Sequence, residues 1–391
     1  MGRRVSGGAV RRLRPDAILV DSQTLLSDRA LVVRDGRVLG HDGPSAEDEV
    51  HPGEFWSAAP VLVHAHLESH DAPAATWSRA GFAAWAAELL AWRERRDRLP
   101  PDQAAAASLA ELRRAGCGFV LAHRAEAGAT SEAHRRAREL PELLDLPELF
   151  APEPERAGEA LRTCAGAPGR ALHSPFGVSL ELARAAFAAP GPVSIHLGEH
   201  AEERRLLAAG DGPLAELLRA RGRPLPAGRW PSPVDWLADA GGLRPGVLAV
   251  HGADLRPEEL RRLDRAGVRV VWCPGTHRFF RRPAPAFAAA GLPAPALGCD
   301  SRASNDALDP LREFRLAGRL LPDFPPAAWW RAATEGGAEA VGRADLGHLR
   351  PGAAARWLRF RAPRSPADAA AACVWLAGEE VRPIGGVEAA A

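Results

Sequence analysis

The stretch that decides the fold is VLVHAHLES, residues 61–69, in which a short apolar run ends in two histidines one residue apart. Further short apolar runs follow it, separated by stretches rich in Ala, Leu and Arg: GFVLAH, VSIHLG, GVLAVH, VRVVWCP and PALGCD. Strand-length apolar runs that alternate with helical stretches indicate a parallel sheet buried on both faces. For a segment of roughly 250 residues, this pattern favours an eight-stranded (β/α)8 TIM barrel over an open sheet.

The two ends of the chain have a different pattern from the middle. Residues 16–43 form short apolar runs separated by turn residues, and Asp35-Gly36 between ALVV and RVLG is typical of a two-residue hairpin. Short β segments return after Gly347. We therefore predict an α/β protein in which residues 1–57 plus 347–391 form a small composite β-sandwich, with the barrel of residues 58–346 inserted between its halves.

Composition excludes several classes of function. The chain has 391 residues and a formal net charge of +1, which argues against a nucleic-acid partner. No apolar run is long enough for a signal peptide or a membrane span, and the five cysteines form no CxxC pair, so we expect a cytoplasmic protein with reduced thiols. The sequence contains no lysine, which rules out a Schiff base, a phosphate-loop lysine and a carboxylated lysine bridging two metals.

Four of the predicted strands end in a side chain that can bind a metal. His64 and His66 end the first, and two residues two apart on a strand face the same side. His196, His251 and Asp300 end later strands, and in a barrel the carboxyl ends of the strands surround one site. A lone strand-end histidine is more often structural than ligating. The presence of potential ligands at the ends of four strands predicts a site for zinc or ferrous iron, with a position left for water.

Two polar residues near these strand ends are candidates for proton transfer and substrate contact. Glu199 follows His196 by three residues in IHLGEH, close enough to act as an acid or base beside a metal without binding it. A solvated loop glutamate is the alternative for this residue. His173 in ALHSPFGVS ends another apolar segment, where it either caps a helix or lines the pocket.

Taken together, these segments resemble the amidohydrolase superfamily, in the branch of adenosine- and cytosine-deaminase-like and chlorohydrolase-like enzymes. The resemblance covers residues 15 to 360. It rests on the joint occurrence of APVLVHAHLE, LHSPFGVS, IHLGEHAEERRLLAAGDGP, AVHGADL, CPGTHRFF, LGCDSRASND and WRAATEGGAEAVGRADLGHLRPG. Each motif is weak alone, but their order and combination are specific.

The resemblance implies a metal-dependent hydrolase with one divalent ion per chain, zinc being expected and iron the alternative. It implies that Asp300, a ligand, takes the proton of the attacking water, that His251 orients this water and that Glu199 passes a proton to the substrate ring. The absence of lysine agrees with a mononuclear site. The implied metal ligands are His64, His66, His196 and Asp300, and the expected substrate contacts are Glu68, His173, His277 and Arg278.

Within this branch, HLES, GFAAWAAELLAWRERRD and HLGEHAEERRLLAAGDGPLAELL are most similar to aminofutalosine deaminases, which remove the exocyclic amine of an adenine-type base. An ordinary amphipathic helix explains the second stretch equally well. The sequence departs from the pattern at His123, where an acidic residue is expected, and at His200 and Gly275-Thr276-His277. We expect a small-molecule substrate and consider a homodimer. The alternatives are hydrolysis of a ring amide or a carbon–halogen bond, and an inactive barrel that serves as a binding subunit.

Overall fold

The computed structural model describes residues 8–79, 81–126, 141–226, 230–362 and 364–390. Eight parallel strands follow one another in chain order around a barrel, so the predicted (β/α)8 fold is confirmed. Strands are numbered along the whole chain, so the barrel begins with the sixth. The barrel strands are β6 (Val61–Ala65), β7 (Phe119–Arg124), β8 (Glu142–Leu149), β9 (Arg170–Leu172), β10 (Val193–Leu197), β11 (Val247–His251), β12 (Arg269–Trp272) and β13 (Ala296–Leu297).

The barrel closes where β13 meets β6. The backbone N–H of Cys299 donates to the carbonyl of His64 at 2.9 Å, and that of His66 donates to the carbonyl of Asp300 at 3.0 Å. A Cβ at Gly298 would lie 2.8 Å from the Cβ of His64 and 2.9 Å from the Sγ of Cys273, so glycine permits this close approach. Closure therefore brings the last predicted ligand, Asp300, next to the first pair.

Helices surround the barrel and bury its outer face. An amphipathic sequence favours a helix in this position, because its apolar stripe can be buried against the barrel. They are α1 (Phe82–Arg93), α2 (Pro101–Arg114), α3 (Ala157–Arg162), α4 (Leu180–Ala188), α5 (Ala201–Ala209), α6 (Pro213–Ala220), α7 (Pro233–Asp239), α8 (Pro257–Arg265), α9 (Pro274–Phe279), α10 (Pro310–Leu320), α11 (Pro326–Ala333), α12 (Glu335–Ala340) and α13 (Ala369–Leu376), with short 3-10 turns at Leu67–Ser69, Ala74–Thr76, Pro154–Arg156 and Ala288–Ala290.

Both ends of the chain contribute to one separate seven-stranded sheet, ordered β15-β14-β5-β1-β3-β4 with β2 paired to β1. Its strands are β1 (Arg11–Asp21), β2 (Thr24–Ser27), β3 (Ala30–Arg34), β4 (Arg37–Asp42), β5 (Glu49–Ala58), β14 (Arg356–Arg361) and β15 (Glu388–Ala389). Asp35 and Gly36 connect β3 to β4 with φ of 48° and 70°, as a two-residue hairpin turn requires. The boundaries 1–57 plus 347–391 and 58–346 stay a proposed division.

Two further findings bear on the environment of the chain. All five cysteines are buried and make no disulfide. Among the described residues, no helix has the length and apolar character needed to cross a bilayer.

Candidate metal centre and active-site cavity

Three of the predicted metal ligands turn their imidazoles towards one point at the carboxyl ends of β6 and β10. The Nε2 atoms of His66 and His196 are 3.1 Å apart, and those of His196 and His64 are 3.4 Å apart. The Oδ1 atom of Asp300 lies 3.7 Å from the Nε2 of His64 and 4.0 Å from that of His66. The structure thus brings together four side chains separated by more than two hundred positions.

The protonation states of His66 and Asp300 fit a divalent cation. Burial lowers the pKa of His66 to about 3, so its imidazole is neutral and keeps a free lone pair at neutral pH. Burial opposes ionisation of Asp300, but the nearby imidazoles of His64 and His251 hold its pKa well below the ordinary value. Neutral imidazoles and an anionic carboxylate are the donor set that zinc and ferrous iron prefer, so the residues present fit such an ion.

Hydroxyl groups hold the carboxylate of Asp300 in place. Its Oδ2 accepts hydrogen bonds from the Oγ1 of Thr276 and the Oγ of Ser304, each at 2.9 Å. Oδ1 is thereby left facing the imidazoles. Asp300 and His251 have φ of 55° and 77°, a region that non-glycine residues adopt at a cost, and such strain clusters at functional sites. Thr276, where the sequence departs from the family pattern, is therefore a direct support of the site.

Glu199 and His251 stand together beside these four side chains. The Oε2 of Glu199 is 3.7 Å from the Nε2 of His251, and its Oε1 is 3.4 Å from the guanidinium of Arg282. Burial raises the pKa of Glu199, while the charge of Arg282 acts in the opposite direction. Arg282 is itself buried over the ring of Phe280, at 4.5 Å from the centroid. The sequence analysis missed Arg282, because one arginine among so many carries no distinguishing signal.

His123 and Glu148 form a second buried pair near the imidazoles. The ring of His123 lies 4.5 Å from that of His64, which groups it with His64, His66 and His196 as a candidate ligand. However, its Nε2 is 2.7 Å from the Oγ of Ser194 and its Nδ1 is 3.3 Å from the Oε1 of Glu148, so both nitrogens already have partners. We therefore interpret His123 as a support rather than a ligand.

Glu148 is a buried carboxylate that the sequence analysis missed. Its Oε1 is 3.8 Å from the Nδ1 of His196, and its side chain lines the active-site cavity. The family pattern led us to expect an acidic residue where His123 stands. The structure instead places an acid at the end of the neighbouring strand, β8. In the sequence, Glu148 could have been noticed as an acidic residue near the end of the apolar stretch LLDLPEL. That stretch also contains a second acidic residue, so Glu148 was not distinctive.

A cavity of about 460 Å³ opens onto three of the four converging side chains, those of His66, His196 and Asp300. His173 lines it, and its carbonyl lies 2.5 Å from the Nδ1 of His196, whose ring it orients. The cavity wall away from these polar groups is apolar. It includes Phe82, Trp85 and Leu89 from α1, Leu214 and Leu217 from α6, and Phe176.

Three residues expected to touch substrate lie elsewhere. Arg278 forms an ion pair with Asp306 at the surface, and His277 is buried with its ring 5.4 Å from that of Trp272. Glu68 accepts a hydrogen bond from the backbone N–H of Ala125 at 3.0 Å. None of the three is among the residues that line the cavity. Sequence proximity to a strand end therefore did not suffice to place these side chains in the site.

His200, the remaining departure from the family pattern, also lies outside the cavity lining. It is the N-cap of α5, and its Nδ1 accepts a hydrogen bond from the backbone N–H of Glu202 at 3.3 Å. Its role in the structure is therefore to cap a helix.

Comparison with known proteins agrees with this geometry. The amidohydrolase family model matches residues 63–360. The chain is 31% identical over 333 residues to the aminodeoxyfutalosine deaminase of Deinococcus radiodurans, a match that covers 76% of each protein. The chain belongs to the amidohydrolase family. Its predicted class, a metal-dependent hydrolase acting on carbon–nitrogen bonds, is confirmed by this membership and by the deaminases among its relatives.

Solved structures show the same fold for this amidohydrolase. Helicobacter pylori aminofutalosine deaminase in complex with methylthio-coformycin superposes with a TM-score of 0.78 at 16% identity, covering 97% of both chains. An adenosine deaminase from Xanthomonas campestris with bound zinc gives a TM-score of 0.69 at 22% identity, covering 90% of this chain and 84% of the other.

Proposed function

We propose that this amidohydrolase removes the exocyclic amine of an adenine-type heterocycle, with aminodeoxyfutalosine as the first candidate substrate. The observation that carries the proposal is the convergence of three imidazoles and one carboxylate at the base of a cavity, with Glu199 and His251 beside them. The 31% sequence identity to the aminodeoxyfutalosine deaminase of Deinococcus radiodurans supports the choice of substrate.

We further propose that His64, His66, His196 and Asp300 hold one divalent cation. Zinc is the first choice because the donor set is nitrogen-rich and because the Xanthomonas campestris adenosine deaminase holds zinc. Ferrous iron is the alternative, since imidazole and carboxylate ligands suit it as well. When bound, the cation would act as a Lewis acid that makes water a nucleophile at neutral pH.

The side chains around this point divide the proton transfers between them. Asp300 accepts the water's proton at Oδ1, because Thr276 and Ser304 already occupy Oδ2. His251 orients the water through Nε2. Glu199, whose pKa is raised by burial, donates a proton to a ring nitrogen, which makes the adjacent carbon more electrophilic. After water adds to that carbon, Asp300 passes the proton it accepted to the amine, which leaves as ammonia. The added hydroxyl returns its proton to Glu199 and becomes the ring carbonyl.

Release of ammonia from a panel of compounds tests this proposal. The zinc-loaded protein is incubated with aminodeoxyfutalosine, adenosine and guanine, with cytosine and with a chlorinated triazine, and ammonia and chloride are both measured. We expect the highest kcat/KM with aminodeoxyfutalosine. Release of chloride alone would support the carbon–halogen alternative. A protein that carries about one metal per chain and turns over none of these compounds would contradict a deaminase and favour a binding role.

A further inference from the structure

Three arginines line the cavity, and they differ in what neutralises them. Arg221 forms an ion pair with Glu94 at 2.7 Å, and Arg223 forms one with Glu153 at 2.9 Å. The side chain of Arg93, the last residue of α1, forms no ion pair or hydrogen bond with any residue that the structure describes. Among the described residues, one guanidinium of the lining is therefore left without an ion-pair partner.

Arg93 lines the same cavity as His173, Glu199 and Asp300. Its side chain is only partly exposed. Glu68 forms no ion pair with Arg93, and its Oε1 accepts a hydrogen bond from the backbone N–H of Ala125 at 3.0 Å.

The surroundings of Arg93 make an unpaired charge costly. Phe82, Trp85 and Leu89 from the same helix and Leu217 from α6 line the cavity with it. A partly desolvated cation among apolar groups is stabilised when a ligand brings an anion, because charge-assisted hydrogen bonds strengthen as water is excluded.

We propose that Arg93 determines specificity by binding a carboxylate at the end of an apolar arm of the substrate. This inference rests on the proposed deaminase function, which places the heterocycle at the converging imidazoles. A single unneutralised guanidinium matches a monoanion better than a dianionic phosphate, because Arg221 and Arg223 are already paired. The planar fork of arginine also matches the two oxygens of a carboxylate. Arg278, an expected substrate contact, lies outside the cavity lining, whereas Arg93 belongs to it.

Two matched substrates test this assignment. One is a 5′-deoxy-5′-(carboxybenzylthio)adenosine and the other is its carboxamide, which has nearly the same shape but no charge. Their kcat/KM and their equilibrium binding to the zinc-loaded protein, by calorimetry, are measured for the wild type and for Arg93→Gln. The matched control is Arg96→Gln, which changes an exposed arginine three residues further along that lies outside the cavity lining.

We expect Arg93→Gln to lose about 10- to 100-fold in kcat/KM and in affinity for the carboxylate, the usual worth of a charge-assisted bond. The carboxamide should change by less than about two-fold, and Arg93→Lys should recover part of the loss. An equal loss with both compounds, or no loss with either, would overturn the assignment. If the wild type deaminates neither compound and none of the panel used to test the proposed function, that function fails, and the calorimetric comparison still decides whether Arg93 binds the carboxylate.

Discussion

Replacing Thr276 by valine removes one hydrogen bond to the carboxylate of Asp300 while keeping the shape of the side chain. Thr276 is fully buried, and its Oγ1 donates to the Oδ2 of Asp300 at 2.9 Å. A hydrogen bond to a charged group contributes about 1.5–3 kcal/mol. Since about 1.4 kcal/mol corresponds to a factor of ten, we expect the affinity for zinc or kcat/KM to fall by about 10- to 100-fold, the usual effect of losing such a partner.

The assay measures zinc affinity by competition with a chelator and kcat/KM by ammonia release, both on folded protein. Thr276→Ser is the control, because it keeps the hydroxyl and should recover most of the loss. Ser304→Ala removes the other hydroxyl on the same oxygen and should give a loss of similar size. The reasoning would be refuted if Thr276→Val kept its metal affinity and its kcat/KM within about two-fold of the wild type.

Four other changes have defined outcomes. Asp300→Asn should lower kcat by at least about 1000-fold because it removes the proton acceptor, and appreciable turnover would defeat the mechanism. Glu199→Gln should lower kcat by about 100- to 10,000-fold with metal content unchanged; metal loss would instead make it a ligand. Gly298→Ala should cost about 1–3 kcal/mol of unfolding free energy, seen as a lower Tm, because its Cβ would crowd His64. Burial raises the pKa of Glu203 from 4.5 to about 8, so the stability that its protonated form contributes is lost as pH rises through that range. Glu203→Gln should therefore flatten the dependence of the unfolding free energy on pH, measured by denaturant titrations at several pH values. If the variant kept the pH dependence of the wild type, this explanation would be wrong.

Much of the fold and of the candidate metal centre could be predicted because strand ends are local features of the sequence. An apolar run that ends in a histidine shows where the strand stops, and parallel strands in a barrel bring their carboxyl ends together. His64, His66, His196 and Asp300 meet in the structure for this reason. Glu199 lies close to His196 in the chain, so its position beside the site followed from the same rule.

The supporting and substrate-facing residues could not be predicted in this way. Glu148 and Ser194 reach His123 from different strands, and Arg282 reaches Glu199 across more than eighty positions. Nothing in the sequence shows which of Arg93 and Arg278 lines the cavity. In the structure Arg93 lines the cavity, whereas Arg278 is paired with Asp306 at the surface. Contacts of this kind depend on how loops and helices pack, which no short motif records.

The sequence by itself determined the strand periodicity, the residues at the strand ends and hence the family, because these depend on neighbours within a few positions. Only the tertiary structure decided which imidazole nitrogens face one another, which carboxylates are paired with a cation and which arginine lines the cavity. The physical reason is that protonation and pairing depend on burial and on distances of a few ångströms between segments remote in the chain.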